Sequence, residues 1–288
     1  MNHLLQKTKY TFELVKFSHS IFALPFALIA YFNASQGKIL GVKFIWVLLC
    51  LVAARTAAMA FNRLMDAPID AQNPRTQNRH LPQGLLKKNY VWMLTLLSSL
   101  LFILSARQLN LLSFYLAPLC LLILFFYSLT KKFTHYTQFF LGLALGLAPL
   151  GAHIAVTGQL NGAVFLLASA VIFWVAGFDL LYALQDLDFD KKASLYSLAV
   201  KWGKAKSLTM AKVFHACFAL LLGLYIYLES VGPLFWLGFS LSVILLFWQH
   251  LRLKTDLSNL EASFFNANGI LSLILGLSVF LDWKLFTP

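Results

Sequence analysis

Two aspartates four residues apart, set among arginines, are the residues of this chain whose types and spacing could do chemistry. The stretch 62–84, NRLMDAPIDAQNPRTQNRHLPQG, holds Asp66 and Asp70 together with Arg63, Arg75 and Arg79. Carboxylate oxygens are the ligands a hard divalent cation takes, and guanidinium groups are the donors a phosphate takes. A cation and an anion held together point to a metal-bridged diphosphate. A second stretch, DLLYALQDLDFDKKA at 179–193, repeats the spacing with Asp186 and Asp190, each 120 residues after its counterpart. Two acidic pairs, each ending an apolar helix and each followed by basic residues, suit two metal ions on one diphosphate. Either stretch alone reads as a solvated loop; the matched pair is what carries the functional reading.

The elements that must position these residues follow from composition. The chain has 288 residues, 60% of them hydrophobic and 12% charged, with a mean hydropathy of +0.74. That is more apolar surface than one soluble core can bury, so an integral membrane protein is expected. Apolar runs long enough to cross a bilayer as helices lie at 17–34, 44–61, 91–106, 112–129, 138–156, 163–183, 208–228, 234–251 and 268–286. The expected fold class is therefore all-α: a polytopic membrane bundle of about nine helices around a central cavity, forming one domain over 1–288. The basic charge before the first run resembles a secretory leader, but apolar runs continue along the whole chain, so an uncleaved first helix is expected.

The net charge of +12 points to topology rather than to nucleic acid, because the basic residues are interleaved with spans. With the N-terminus in the cytoplasm, seventeen Lys and Arg fall inside, Lys254 among them, and four fall outside: Lys38, Lys43, Arg107 and Lys284. Both acidic stretches then face the cytoplasm and the C-terminus lies outside. Cys50, Cys120 and Cys217 all fall in spans without paired spacing and read as small apolar residues. Glycine-rich phosphate loops, nucleophile patterns and zinc-spaced histidines are absent from the sequence.

Periodicity refines the picture. Arg55, Asn62 and Asp66 are spaced by seven and four, so they share a helical face. Pro68 disfavours helix at Ala67, so the helix is expected to end there, leaving the facing of Asp70 open. Asp179, Tyr182, Asp186 and Asp190 recur at three, four and four, again one face, with Asp179 deepest and Asp188 off the face. A charge such as Arg55 inside a span needs an anionic partner, either Asp179 or a carboxylate on a substrate. Tyr127 and Lys131 lie four apart at the cytoplasmic end of the fourth run; Lys131 is either an interfacial anchor or a phosphate ligand. Gly142 and Gly146 form a small-xxx-small pair that suits close helix packing.

These motifs are where the chain resembles a known family, the UbiA intramembrane prenyltransferases. Asn62, Asp66 and Asp70 match its first Asp-rich motif, followed by Asn-Pro-Arg-Thr at 73–76 and Arg-x-Leu-Pro-x-Gly at 79–84. Tyr127 and Lys131 match its Tyr-x-x-x-Lys motif, and Asp186 and Asp190, preceded by Asp179-x-x-Tyr182-Ala183, match its second Asp-rich motif. The chain departs from the pattern after Asp190: Ser194 stands where the family usually has Gly, and Ser197-Leu198-Ala199 where it has Ser-x-Pro. The residues around Arg63 are similar to the 4-hydroxybenzoate polyprenyltransferase-like branch, part of which is similar to dihydroxynaphthoate enzymes of menaquinone synthesis.

The resemblance implies a Mg2+-dependent transfer of a polyprenyl group from an allylic diphosphate to an aromatic acid, on the route to ubiquinone or menaquinone, in the bacterial inner membrane. It implies that Asp66, Asp70, Asp186 and Asp190, with Asn62, hold the metal. Arg75, Arg79, Lys131 and Tyr127 would face the diphosphate, and Arg55, Asp179 and Tyr182 the acceptor. The implied partners are a polyprenyl diphosphate, an aromatic acid and the lipid bilayer. A transporter of an anionic lipid or metabolite is the alternative from another class; it would use buried Arg and Asp without needing a duplicated oxygen-rich metal site.

Overall fold

The computed structural model describes residues 2–16, 22–252 and 260–286, with side chains described from residue 5 in the first segment and from residue 267 in the last. The elements are α1 Asn2–Leu14, α2 Leu24–Ser35, α3 Val42–Asp70, α4 Lys88–Arg107, α5 Leu111–Thr130, α6 Thr137–Thr157 and α7 Gly162–Tyr182. A 3₁₀ turn, Ala183–Asp186, then leads to α8 Leu187–Lys192, α9 Leu198–Leu228, α10 Pro233–Arg252 and α11 Leu260–Leu285. No strand occurs among the described residues, and eight helices are long and apolar enough to cross a membrane. The protein is an integral membrane protein of the expected all-α class.

Each of the nine expected runs contains one of these helices, but three readings need correction. The first run yields only the 12-residue α2, about 18 Å long at 1.5 Å per residue and so shorter than a ~30 Å hydrocarbon core. Pro25 stands at the start of α2, where its fixed φ suits the first turn; residues 17–21 and Lys254 lie outside the described residues. The second correction is that Pro68 does not end its helix: α3 runs on to Asp70. Proline removes the donor for the Leu64 carbonyl alone, and the end of the helix is held from beyond it. Ala71 N–H donates to the Ala67 carbonyl at 3.1 Å and Thr76 Oγ1 to the Asp70 carbonyl at 3.2 Å. At 29 residues α3 is about 43 Å long, enough to carry its last turn past the hydrocarbon core. The third correction is α1, a helix where only scattered charges were read.

The chain divides into two compact units: Met1–Ser20 with Val42–Leu129, and Ile21–Gly41 with Thr130–Pro288. In the first, Leu14 and Val15 at the end of α1 pack with Ala60 and Leu64 of α3, Leu86, and Val91 of α4. In the second, Trp174 of α7 is fully buried, with Phe26 and Phe218 around its ring and its Nε1 donating to Asn268 Oδ1 at 3.0 Å. The indole is thus buried with its one polar atom satisfied. The glycine pair behaves as expected. A Cβ on Gly142 would lie 2.6 Å from the Ile172 carbonyl oxygen and one on Gly146 3.0 Å from that of Ala168, so α6 and α7 approach as closely as only glycine permits. In α9, Gly203 takes φ 69°, a left-handed break that separates the turn 198–202 from the long span.

Candidate functional site

The continuation of α3 through Pro68 puts Asp66 and Asp70 on one face of one helix, with Asn62 one turn earlier. Both carboxylates are buried, at 6% and 4% exposure, and so is Arg63 at 7%. Unscreened charges at that depth must answer one another. Arg79 Nη1 lies 2.7 and 2.8 Å from the two oxygens of Asp70. Arg63 sits in the field of Arg79, Asp70, Asp66 and Tyr127. The first acidic pair is therefore the anionic half of a mixed cluster whose cationic half comes from α3 and from the segment after it.

That segment explains residues that spacing alone did not pick out. Asn73 Oδ1 accepts from Arg75 N–H at 2.9 Å, closing an Asx turn, while Thr76 N–H and Gln77 N–H donate to the Asn73 carbonyl. The Thr76 hydroxyl caps the end of α3 at Asp70. Asn73 and Thr76 are themselves buried, at 7% and 4%. The Asn-Pro-Arg-Thr motif is thus a turn that brings Arg79 back over the helix it follows; the Asn-Pro pair was the signal for it.

In the second unit, helical periodicity does not run unbroken through the acidic residues. Asp179 and Tyr182 are on α7, but the chain tightens to the 3₁₀ turn ending at Asp186, which precedes the first turn of α8 containing Asp190. The single face expected for all four is therefore corrected to two short registers. Asp190 remains an electrostatic neighbour of Asp179, and Asp188 is exposed as expected.

Beyond Asp190 the departures from the family pattern find their places. Leu195 N–H donates to the Asp190 carbonyl at 2.9 Å and Ser194 N–H to that of Lys191 at 3.3 Å, the two bonds of a Schellman C-cap. Ser194 occupies the left-handed position of that cap, at φ 52°. Ser197 then N-caps α9, accepting from Val200 N–H at 3.1 Å, and Ala199 falls in the first turn, where proline is tolerated. The same segment is tied to residues after α5: Tyr196 N–H donates to the Lys131 carbonyl at 2.8 Å, and Leu198 N–H to Gln138 Oε1 at 3.1 Å. Lys131 is therefore held through its backbone at the start of this unit.

Arg55, for which the sequence left Asp179 or a substrate carboxylate open as partner, is met within its own compact unit by a backbone carbonyl. Its Nη2 donates to the Lys16 backbone carbonyl at 3.1 Å, its buried Nε has no hydrogen-bond partner among the described residues, and no ion pair to it occurs among them. A carbonyl from α1's end reaches it before any carboxylate does.

As for metal, no three His, Cys, Asp or Glu groups among the described residues come close enough to hold one ion. The donor set still fits a hard cation. Mg2+ is usually held by one or two carboxylates, with substrate phosphate oxygens and water completing the shell, and each acidic pair offers two carboxylates.

Residues 23–274 match the model of the UbiA prenyltransferase family. The 4-hydroxybenzoate octaprenyltransferase of Klebsiella pneumoniae is 30% identical over 245 residues, covering 83% of this chain and 85% of that protein. Among solved structures, the apo UbiA homolog from Aeropyrum pernix K1 superposes with a TM-score of 0.85 at 28% identity, covering 92% of this chain and 98% of the other. A UbiA homolog from Archaeoglobus fulgidus bound to DMAPP and Mg2+ shares the fold, with a TM-score of 0.76 at 18% identity, over 96% of this chain and 99% of that one.

Proposed function

We propose that this chain, which belongs to the UbiA prenyltransferase family, moves a polyprenyl group from an allylic diphosphate to the ring of an aromatic acid, 4-hydroxybenzoate or a close analogue, in quinone biosynthesis. The observation that carries the reading is the mixed cluster at the end of α3: buried Asp66 and Asp70 beside Arg63 and Arg79. A transporter of anions would gain from the arginines, whereas buried paired carboxylates work against it unless a cation accompanies the anion. The Klebsiella relative's named activity and the Archaeoglobus homolog's DMAPP and Mg2+ support the same substrates here. Since the family match spans both compact units, the reading takes 1–288 as one catalytic domain.

In this reading Asp66 and Asp70, with Asn62, and Asp186 and Asp190 hold Mg2+ on the diphosphate. Bound Mg2+ supplies Lewis-acid assistance to the departure of pyrophosphate. Arg75, Arg79, Lys131 and Tyr127 donate to the diphosphate oxygens, where charge grows as the allylic C–O bond breaks. The positive charge left on the allylic carbon is taken up by the electron-rich ring, which forms the new C–C bond and then loses its proton. Asp179 and Tyr182 line the acceptor end. Arg55, with its buried Nε still to be satisfied, pairs with the carboxylate of the acid and turns the ring toward that carbon. The enzyme sits in the bacterial inner membrane with the N-terminus and both acidic stretches on the cytoplasmic side.

The test is pyrophosphate release when the purified protein, Mg2+ and a polyprenyl diphosphate are mixed with 4-hydroxybenzoate, a dihydroxynaphthoate or a neutral phenol. Release that depends on the acid, with a prenylated ring as product, is the expected result. Absence of release with every acceptor would overturn the reading in favour of transport.

A further inference from the structure

The end of α1 does something that neither acidic stretch explains. The last carbonyls of a helix have no donors within it, and two at the end of α1, that of its last residue Leu14 and that of Lys16 just beyond it, are taken by arginines eight residues apart on α3. Arg63 Nε donates to the Leu14 carbonyl at 3.2 Å, and Arg55 Nη2 donates to the Lys16 carbonyl at 3.1 Å. The pairing runs antiparallel, 14 with 63 and 16 with 55. Lys16 reaches its place by a left-handed turn, φ 44°, a conformation that costs a non-glycine residue energy. Three residues before Lys16, Glu13 Oε2 lies 2.9 Å from His80 Nε2, and the Tyr10 ring packs on the same imidazole with centroids 5.0 Å apart. His80 directly follows Arg79, so this contact pins the segment that carries Arg79 to Asp70.

Four residues, 13–16, thus reach Arg55, Arg63 and the arginine segment after α3. The chemistry of the contacts is informative. A carboxylate would orient a guanidinium and also cancel its charge. A backbone carbonyl orients it and leaves the net charge available to an anion. We propose that the 13–16 segment is the positioning element of the site, with the Lys16 carbonyl aiming Arg55 at the acceptor's carboxylate and the Glu13–His80 contact holding the diphosphate-binding segment in register. The proposal rests on the function proposed above for the identity of the two anions, but the pinning itself does not.

The experiment uses the full-length protein. Lys16→Pro fixes φ near −65° and so withdraws the carbonyl, whereas Lys16→Gly keeps the left-handed turn without strain. Losing one oriented charge-assisted donor corresponds to about tenfold. Lys16→Pro should raise KM for 4-hydroxybenzoate about tenfold while leaving KM for the polyprenyl diphosphate unchanged, and Lys16→Gly should keep both. Glu13→Ala should show the reverse split, raising KM for the diphosphate alone, with Glu13→Gln restoring it because the amide oxygen still accepts from His80. Amide hydrogen exchange over 71–87 needs no turnover: it should quicken in Glu13→Ala and recover in Glu13→Gln, whatever the substrates prove to be. Equal changes in both KM values, or none in either, overturn the assignment of Lys16 to the acceptor. Unchanged exchange over 71–87 in Glu13→Ala overturns the pinning. A wild-type protein that releases no pyrophosphate would defeat the proposed function and leave the exchange result to decide the positioning.

Discussion

In the proposed mechanism Arg79 makes two claims on the reaction that pull in opposite directions, and removing it should separate them. Its Nη1 lies within 2.8 Å of both oxygens of Asp70, a carboxylate whose side chain is only 6% exposed. A metal that uses Asp70 competes with Arg79 for the same two oxygens. A hydrogen bond to a charged group is worth about 1.5–3 kcal/mol net, and the Arg79 side chain is 25% exposed, so screening lowers this to about 1–2 kcal/mol. In Arg79→Gln that opposition is gone, and the apparent affinity for Mg2+ should rise about 5- to 30-fold. The same substitution takes a donor from the pyrophosphate oxygens, so turnover at saturating Mg2+ should fall by about tenfold or more. Titrating Mg2+ in the pyrophosphate-release assay gives both numbers. The rise in melting temperature with Mg2+ alone gives the first without turnover. An Mg2+ requirement that is unchanged or weaker in Arg79→Gln would refute the argument, for it would mean that Asp70 is not a metal ligand or that Arg79 helps to seat the ion.

Other substitutions test other parts of the structure. Asp66→Ala and Asp186→Ala should each lower pyrophosphate release by at least ~100-fold without loss of folded protein on size-exclusion chromatography, since a ligand counts for at least as much as the groups that orient it; near-normal turnover at saturating Mg2+ would contradict the metal assignment. Ser194→Gly should stabilise the protein by about 0.5–1 kcal/mol in a thermal melt with turnover retained, because glycine relieves the left-handed position of the α8 cap at some cost in chain entropy. Gly142→Ala should destabilise by about 1–3 kcal/mol or prevent folding, since its Cβ would meet a backbone carbonyl that cannot step aside. A reporter fused to the C-terminus should be active only in a form that matures outside the cytoplasm, and a cytoplasmic signal there would mean that one expected crossing is not made.

What was legible in the sequence is what local chemistry dictates. Hydropathy located, among the described residues, eight helices long enough to cross a membrane and the shorter α2, because a run of apolar residues has no other low-energy arrangement in a bilayer. Spacing picked out the acidic residues, and the small-xxx-small pair correctly marked a close approach of α6 to α7. Pro68 was misread because the preference it expresses is local, whereas Thr76 and Arg79, which hold Asp70, come from six and nine residues further on. The Asp179-to-Asp190 face was misread for a related reason: its spacing presumes 3.6 residues per turn, and the chain tightens to 3₁₀ at Ala183.

Arg55 shows where such reading stops. A buried cation must find an acceptor, and a sequence displays acceptors only as side chains, so the candidates drawn from it were carboxylates. The acceptor found is the carbonyl of Lys16, a residue that on composition is a second positive charge and would be expected to repel. No feature of a lysine's side chain announces that its backbone will turn left-handed and present its oxygen. The consequence is chemical as well as structural. Held by a neutral oxygen, and with no hydrogen-bond partner for its Nε among the described residues, Arg55 keeps its charge for an anion. In the proposed reading, a preference for the carboxylated acceptor over the phenol would depend on this backbone contact with a residue 39 positions away in the chain.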